Sequence, residues 1–262
     1  MEMIAALRMR QAQERGLAGR PYSEKITQVI ADLAALQHPD QDLHPLLQRR
    51  PVNRIAIVHI TPDRGLCGGL VGNINRQTTS FILQQKIPAS LVVVGRKGLD
   101  FMHRYNQNIL AEFSDLGEQP DLLDILPVAR IIIDEYTAGT VDAAYIAYTR
   151  FVNTLNQKPV MQQILPVQPS EIPPVENVDY IYEPDAKTVL GGLLPRFVEM
   201  QVYHAVLESI ASEQSARMVA MRNATDNGTE LIGDLTLAYN KARQESITTE
   251  LLDITAGAAA LA

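Results

Sequence analysis

The chain has 262 residues, 46% of them hydrophobic and 20% charged, enough to bury a core of ordinary size. Its formal net charge of −7 argues against a nucleic-acid binder. A single cysteine, Cys67, excludes an internal disulfide and any multi-cysteine metal site, and makes a reducing cytoplasm the default. No apolar run approaches the roughly 20 residues of a membrane span, and the opening "MEMIAALRMRQAQERG" is too charged for a signal peptide.

Residues 1–37 read as helix. Ile4 and Leu7 begin an apolar stripe that Ile26, Val29, Ile30, Leu33 and Leu36 continue. Arg8, Arg10, Arg15, Arg20 and Lys25 lie between them and read as a solvated face ahead of a binding role, while Pro21 predicts a kink or local bend. His38–Pro45, "HPDQDLHP", ends the helix with two prolines and turn formers.

The middle, 50–184, alternates strand and helix. Asn53–Ile60 and Ala89–Val94 are β-branched runs of the kind buried in parallel sheets. Helices are predicted over Gly69–Gln85, Lys97–Tyr105 and Leu122–Tyr136, and further strands over Ala143–Tyr148 and Met161–Pro166. This order predicts an α/β fold with a Rossmann-like, mainly parallel sheet covered by helices. A proline-rich connector follows, with "DYIYE" (Asp179–Glu183) as a candidate edge strand.

Residues 185–262 contain one proline, Pro195, and repeat apolar residues at three- and four-residue steps from Leu190 to Ile254. At about 1.5 Å per residue, a helix of about 70 residues would reach roughly 100 Å, far more than an ordinary domain is wide. Its seam requires another helix or a partner protein. The first helix closes it most simply as an antiparallel coiled coil, although at roughly 55 Å it leaves about half of the long helix without an intrachain partner.

Local chemistry is sparse. "DRGLCGGL" (Asp63–Leu70) places glycines between a strand and a helix, where a phosphate could sit. It lacks the G-x-G-x-x-G pattern and any Walker lysine, so it reads as a tight turn with close strand–helix packing. Cys67 has no histidine nearby in sequence and reads as a small buried thiol. His38, His44, His59, His103 and His204 show no metal spacing. Asp134 and Glu135 read as a solvated acidic pair late in a helix. Neither a catalytic constellation nor a cofactor is indicated.

Two polar islands interrupt the long helix. Ser212–Glu230 carries Asn223, Thr225, Asp226, Asn227 and Gly228, all poor helix formers. Tyr239–Asp253 carries Lys241, Arg243, Gln244, Thr248 and Glu250. Each is either a solvated face (the first alternatively a broken helix with a turn) or a row of polar contacts to a partner surrounding the helix.

"SARMVAMRNATDNGTELI" (Ser215–Ile232), "YNKARQESITTEL" (Tyr239–Leu251) and "GAAAL" (Gly257–Leu261) are long, specific motifs. With "DRGLCGGL", "VYHAVLESIASEQ", "YIYEPD" and the opening "MEMIAALRMRQAQERGLAGRPY", they give the whole chain a sequence that resembles the gamma subunit of rotary F-type ATP synthases. The resemblance implies a non-catalytic central rotor stalk that couples proton- or sodium-driven ring rotation to ATP synthesis at the beta subunits. It implies partners in the alpha, beta and epsilon subunits and the membrane c-ring, and a peripheral place on the cytoplasmic face of the plasma membrane. It maps contacts to beta onto Glu213, Arg217, Arg243, Gln244, Thr248 and Glu250, and seats Gly257–Ala262 in an apolar sleeve of the catalytic ring. It also implies about two dozen residues upstream of the segment matched by Met1, and no regulatory dithiol insertion of the plant chloroplast kind. Two other classes compete: a nucleotide-dependent enzyme, which would need a phosphate fingerprint, and a free-standing coiled-coil adaptor, which would self-associate through its seam.

Overall fold

The computed structural model describes residues 1–35, 44–117, 119–168, 183 and 185–261, with the side chains of 17, 20–24, 27, 28, 30–35, 186, 187, 260 and 261 left undescribed. The chain divides into two compact units, Met1–Val219 and Ala220–Ala262. The first contains α1 (Glu2–Ala35), β1 (Ile55–Ile60), α2 (Leu70–Gln85), β2 (Ala89–Val94), α3 (Arg96–Arg104), β3 (Asn108–Phe113), α4 (Leu122–Thr137), β4 (Ala143–Asn153) and β5 (Asn156–Leu165). The final helix, α5, runs Ala186–Leu261.

The five strands lie in the order β3-β2-β1-β4-β5. All neighbours are parallel except β4 and β5, which form an antiparallel hairpin. All six residues of β1 are buried, as a strand covered on both faces requires. Strand alternation sorts them. Ala56, Val58 and Ile60 join Val92, Val94, Ala144 and Ile146 on one face, beneath Ile125, Val128 and Ile132 of α4 and Leu194, Val198 and Val202 of α5. Ile55 and Ile57 join Leu91 and Val93 on the other, beneath Ile74 of α2 and Met102 of α3.

The helices predicted from sequence and the strands β1 and β2 appear with small changes of boundary. β3 was not anticipated. Its residues alternate exposed and half-buried, because an edge strand needs no continuous apolar run. The hairpin strands extend beyond the short apolar runs predicted for them. Asn153 Oδ1 accepts the amides of Leu155 at 3.0 Å and Asn156 at 2.8 Å, which closes a tight turn. Pro159 fits within β5 because that strand pairs on one side only.

α1 is helical through position 21, where a bend was expected. Its arginines do not all lie on a solvated face. Arg10 pairs with Glu14 in the open, whereas Arg15 donates to Gln119 at 2.6 Å. A Cβ at Gly19 would stand 2.8 Å from His204 Cε1, so this turn of α1 packs directly on α5. Asp185 caps α5 by accepting the Thr188 amide at 2.9 Å. The helix continues unbroken through Asn223–Gly228, which removes the turn reading of the first polar island. Most of the turn at 38–45, and all of the "DYIYE" strand except Glu183, lie outside the described residues.

His59 is the one fully buried imidazole among the described histidines. Its Nε2–H donates to Asn75 Oδ1 at 2.8 Å, and the Thr78 hydroxyl lies 3.1 Å from Nδ1. Burial lowers its pKa to about 4, so the native state holds the neutral ring. Unfolded chains protonate below about pH 6.5 and the native site does not. Stability therefore falls as pH drops from about 6.5 toward 4, by about 3 kcal/mol from this group. Urea melts between pH 7 and 4.5 should show a steeper decline in the wild type than in His59→Gln. Equal declines would assign the effect to other groups.

Candidate functional site

In a doubly wound sheet the ligand crevice opens where strand order reverses, outside the C-terminal ends of the strands. Here that point lies between β1 and β4, because β2 and β3 follow on one side of β1 and β4 on the other. The β1 loop, Thr61–Gly69, carries the glycine motif to this point. β4 pairs with β1 only through Ala147 and then continues past it into the hairpin.

The loop is tied down from within. Asp63 accepts the Arg96 amide at 3.0 Å and the Asp115 amide at 3.2 Å, and its neighbours Arg96 and Asp115 form an ion pair. Thr61 Oγ1 accepts the Gly98 amide at 2.8 Å. The first amides of α3, which could otherwise face an anion, are thus committed to the protein. Gly95 has φ +93, and a Cβ there would lie 1.9 Å from Thr61 O. Only glycine permits this approach.

α5 fills the crevice. Ser212 Oγ donates to Thr149 O at 2.9 Å, and Ser215 Oγ to Thr154 O at 2.9 Å. Gln157 Nε2 in turn donates to Ser215 Oγ at 3.3 Å. Arg217 Nη2 donates to Gly65 O at 3.2 Å and to Glu213 Oε1 at 2.6 Å. The Arg217 and Glu213 side chains are only 10% and 16% exposed. Cys67 lies beneath, 2% exposed, as the reading of a small buried thiol expected. Burial raises its pKa, Glu213 raises it further, and Arg217 opposes both.

The six residues assigned to partner contacts fall into two groups. Glu213 and Arg217 turn toward their own domain and hold the glycine loop. Arg243, Gln244, Thr248 and Glu250 belong to the second unit and are exposed. At 100° per residue these four occupy an arc of about 160° on the helix. Exposed apolar side chains accompany them, among them Ile232, Leu235, Tyr239, Ile247, Leu251 and Ile254, each 45–68% exposed. The threonines are compatible with helix because their hydroxyls bond back to it, as Thr225 does to Met221 O at 3.0 Å and Thr248 to Gln244 O at 2.8 Å.

Sequence reasoning missed the roles of Ser212 and Ser215. The available signal was their three-residue spacing, continuing the buried face of α5 marked by Ser209 and Ala205. Of the acidic pair, Asp134 is exposed and Glu135 half-buried, and the Thr140 hydroxyl lies against Glu135.

The architecture so far is that of an α/β domain whose ligand crevice is closed by its own C-terminal helix. The ATP synthase family model matches residues 1–261. The ATP synthase gamma chain of Dehalococcoides mccartyi strain CBDB1 is 69% identical over 262 residues, spanning 100% of this chain and 92% of that one. The gamma chain of Roseiflexus castenholzii is 49% identical over 266 residues, spanning 100% and 91%. Among solved structures, the central stalk and c-ring structure of Tetrahymena thermophila mitochondrial ATP synthase includes a similar chain. Its TM-score is 0.66 at 23% identity, with 86% of this chain and 97% of that one covered. A chain of the Euglena gracilis mitochondrial ATP synthase rotor gives 0.55 at 20% identity, covering 94% and 98%. The chain belongs to the ATP synthase gamma-chain family.

The packing of the loop predicts the cost of altering it. Gly95→Ala combines a positive φ with a backbone clash and should destabilise the fold by about 3 kcal/mol or more. Gly257→Ala, at a helical position where a Cβ meets open space, should leave stability unchanged or raise it by up to about 1 kcal/mol. Thermal or urea melts of the two variants check this.

Proposed function

We propose that this chain is the central rotor stalk of an F-type ATP synthase, coupling proton- or sodium-driven rotation of a membrane c-ring to ATP synthesis at the beta subunits. It catalyses no ATP chemistry itself. Membership of the gamma-chain family supports this, and one structural observation carries it. The second unit is a continuous helix whose polar and apolar side chains alike lie open to water. A contiguous apolar stripe of that kind is finished by a partner.

In this role Arg243, Gln244, Thr248 and Glu250 contact the beta subunits. Each rotational angle of an asymmetric helix favours one nucleotide state at each catalytic site, and the coupling is reciprocal. α1 and the preceding part of α5 pair as an antiparallel coiled coil, which the contact of Gly19 with His204 supports. The α/β domain meets the epsilon subunit and the ring. No helix among the described residues is long and apolar enough to cross a membrane. In this role the chain is peripheral, at the cytoplasmic face, held there by its partners.

Mixing the chain with alpha and beta subunits should give a complex of one copy with three of each by native mass, with active ATP hydrolysis. Self-association with no such complex would favour the adaptor reading instead. Arg243→Ala and Gln244→Ala should lower the activity of the assembled enzyme several-fold. The isolated chain's stability should move by less than about 0.5 kcal/mol, because both side chains are exposed. A matching loss of stability would remove these residues from the contact.

A further inference from the structure

Arg217 spans two elements distant in sequence. Its Nη2 donates to Glu213 Oε1 on its own helix and to Gly65 O in the β1 loop. The loop residues around that carbonyl, Arg64, Gly65 and Leu66, are themselves exposed, so van der Waals packing alone does little to hold them. The three other ties of the crevice, Ser212, Ser215 and Gln157, attach α5 to the hairpin and not to this loop. Charge-assisted hydrogen bonds are the strong ones, and this arginine is shielded enough from water to keep that strength.

We propose that Glu213 and Arg217 form a latch that holds the glycine loop of β1 against α5. Arg217 is a positioning residue: it fixes the long helix on the sheet at the strand-order reversal. Glu213 neutralises the guanidinium and aims it at the Gly65 carbonyl. The assignment deepens the rotor reading, in which load passing between helix and domain crosses this seat.

Cys67 makes the latch measurable, since it is the sole thiol of the chain and lies buried below the pair. The full chain is treated with a thiol-reactive disulfide reagent under native conditions. Arg217→Ala and Glu213→Gln should raise the labelling rate of Cys67 at least about tenfold by increasing local opening of the loop, with rates taken across a pH series and compared at equal thiolate fraction because both side chains also shift the thiol directly. Arg222→Ala, on an exposed position of the same helix, should leave the rate unchanged. Circular dichroism melts keep the comparison to variants that fold; should Arg217→Ala not fold, the nearly isosteric Glu213→Gln decides. Unchanged labelling in the folded variants overturns the latch, whatever the fate of the rotor reading.

A second arm uses the enzyme assembled with its membrane sector. The latch variants should pump fewer coupling ions, protons or sodium, per ATP hydrolysed than the wild type, counted per assembled complex. A role confined to folding would lower the amount of complex and leave that ratio alone, and an unchanged ratio would overturn the positioning role. Failure of the wild-type chain to assemble would sink the rotor reading while the thiol experiment still decides the latch.

Discussion

Everything in the first unit depends on burying both faces of a sheet that is parallel over four of its five strands. Parallel pairing forces crossovers, and crossovers put helices on the faces. α2 and α3 cover one side. The other needs more than α4 can cover, and the first turns of α5 complete it, with Leu190, Leu194 and Val198 within 1% of full burial. The same continuous helix therefore serves as core in one unit and as solvent-exposed surface in the other. Its apolar residues do not change in kind along the way; their surroundings do.

Closing the strand-order reversal with protein follows from that arrangement. A ligand crevice needs free amides and open volume. Here the α3 amides serve Thr61 and Asp63, Gly95 brings backbone against backbone, and residues 212–217 of α5 bond to the hairpin and the loop. The glycines of the β1 loop do not make this close approach: Gly65 and Gly68 have open space around a would-be Cβ, and Gly68 serves the turn through its positive φ. Close approach belongs to Gly95 and Gly98 at the start of α3, which bring that backbone against Thr61.

Sequence periodicity made the fold legible where burial was two-sided or the helix long. β1, β2 and all five helices could be placed to within a few residues for this reason. β3 escaped because a half-covered edge strand such as "NILAEF" has no periodic signature strong enough to stand out. The hairpin was underestimated because its outer halves contain Thr, Arg, Asn, Gln and Lys, residues that read as loop until paired. The site was legible only as a set of types and positions. That Glu213 and Arg217 face inward while Arg243 and Glu250 face water depends on which turns of one helix have a domain beneath them, and helical spacing carries no such information.

That difference separates two jobs within one helix. Buried polar groups act through geometry, since each unsatisfied partner would cost more than the bond itself contributes. Ser212, Ser215 and Arg217 accordingly set position and register on the sheet. Exposed polar groups contribute little until something desolvates them. In the proposed rotor, Arg243 and Glu250 gain their strength only when a catalytic subunit closes around them, and lose it when that subunit opens. Tight seating at one end and conditional contact at the other are what a shaft needs: the first transmits load at every angle, and the second makes the angle matter.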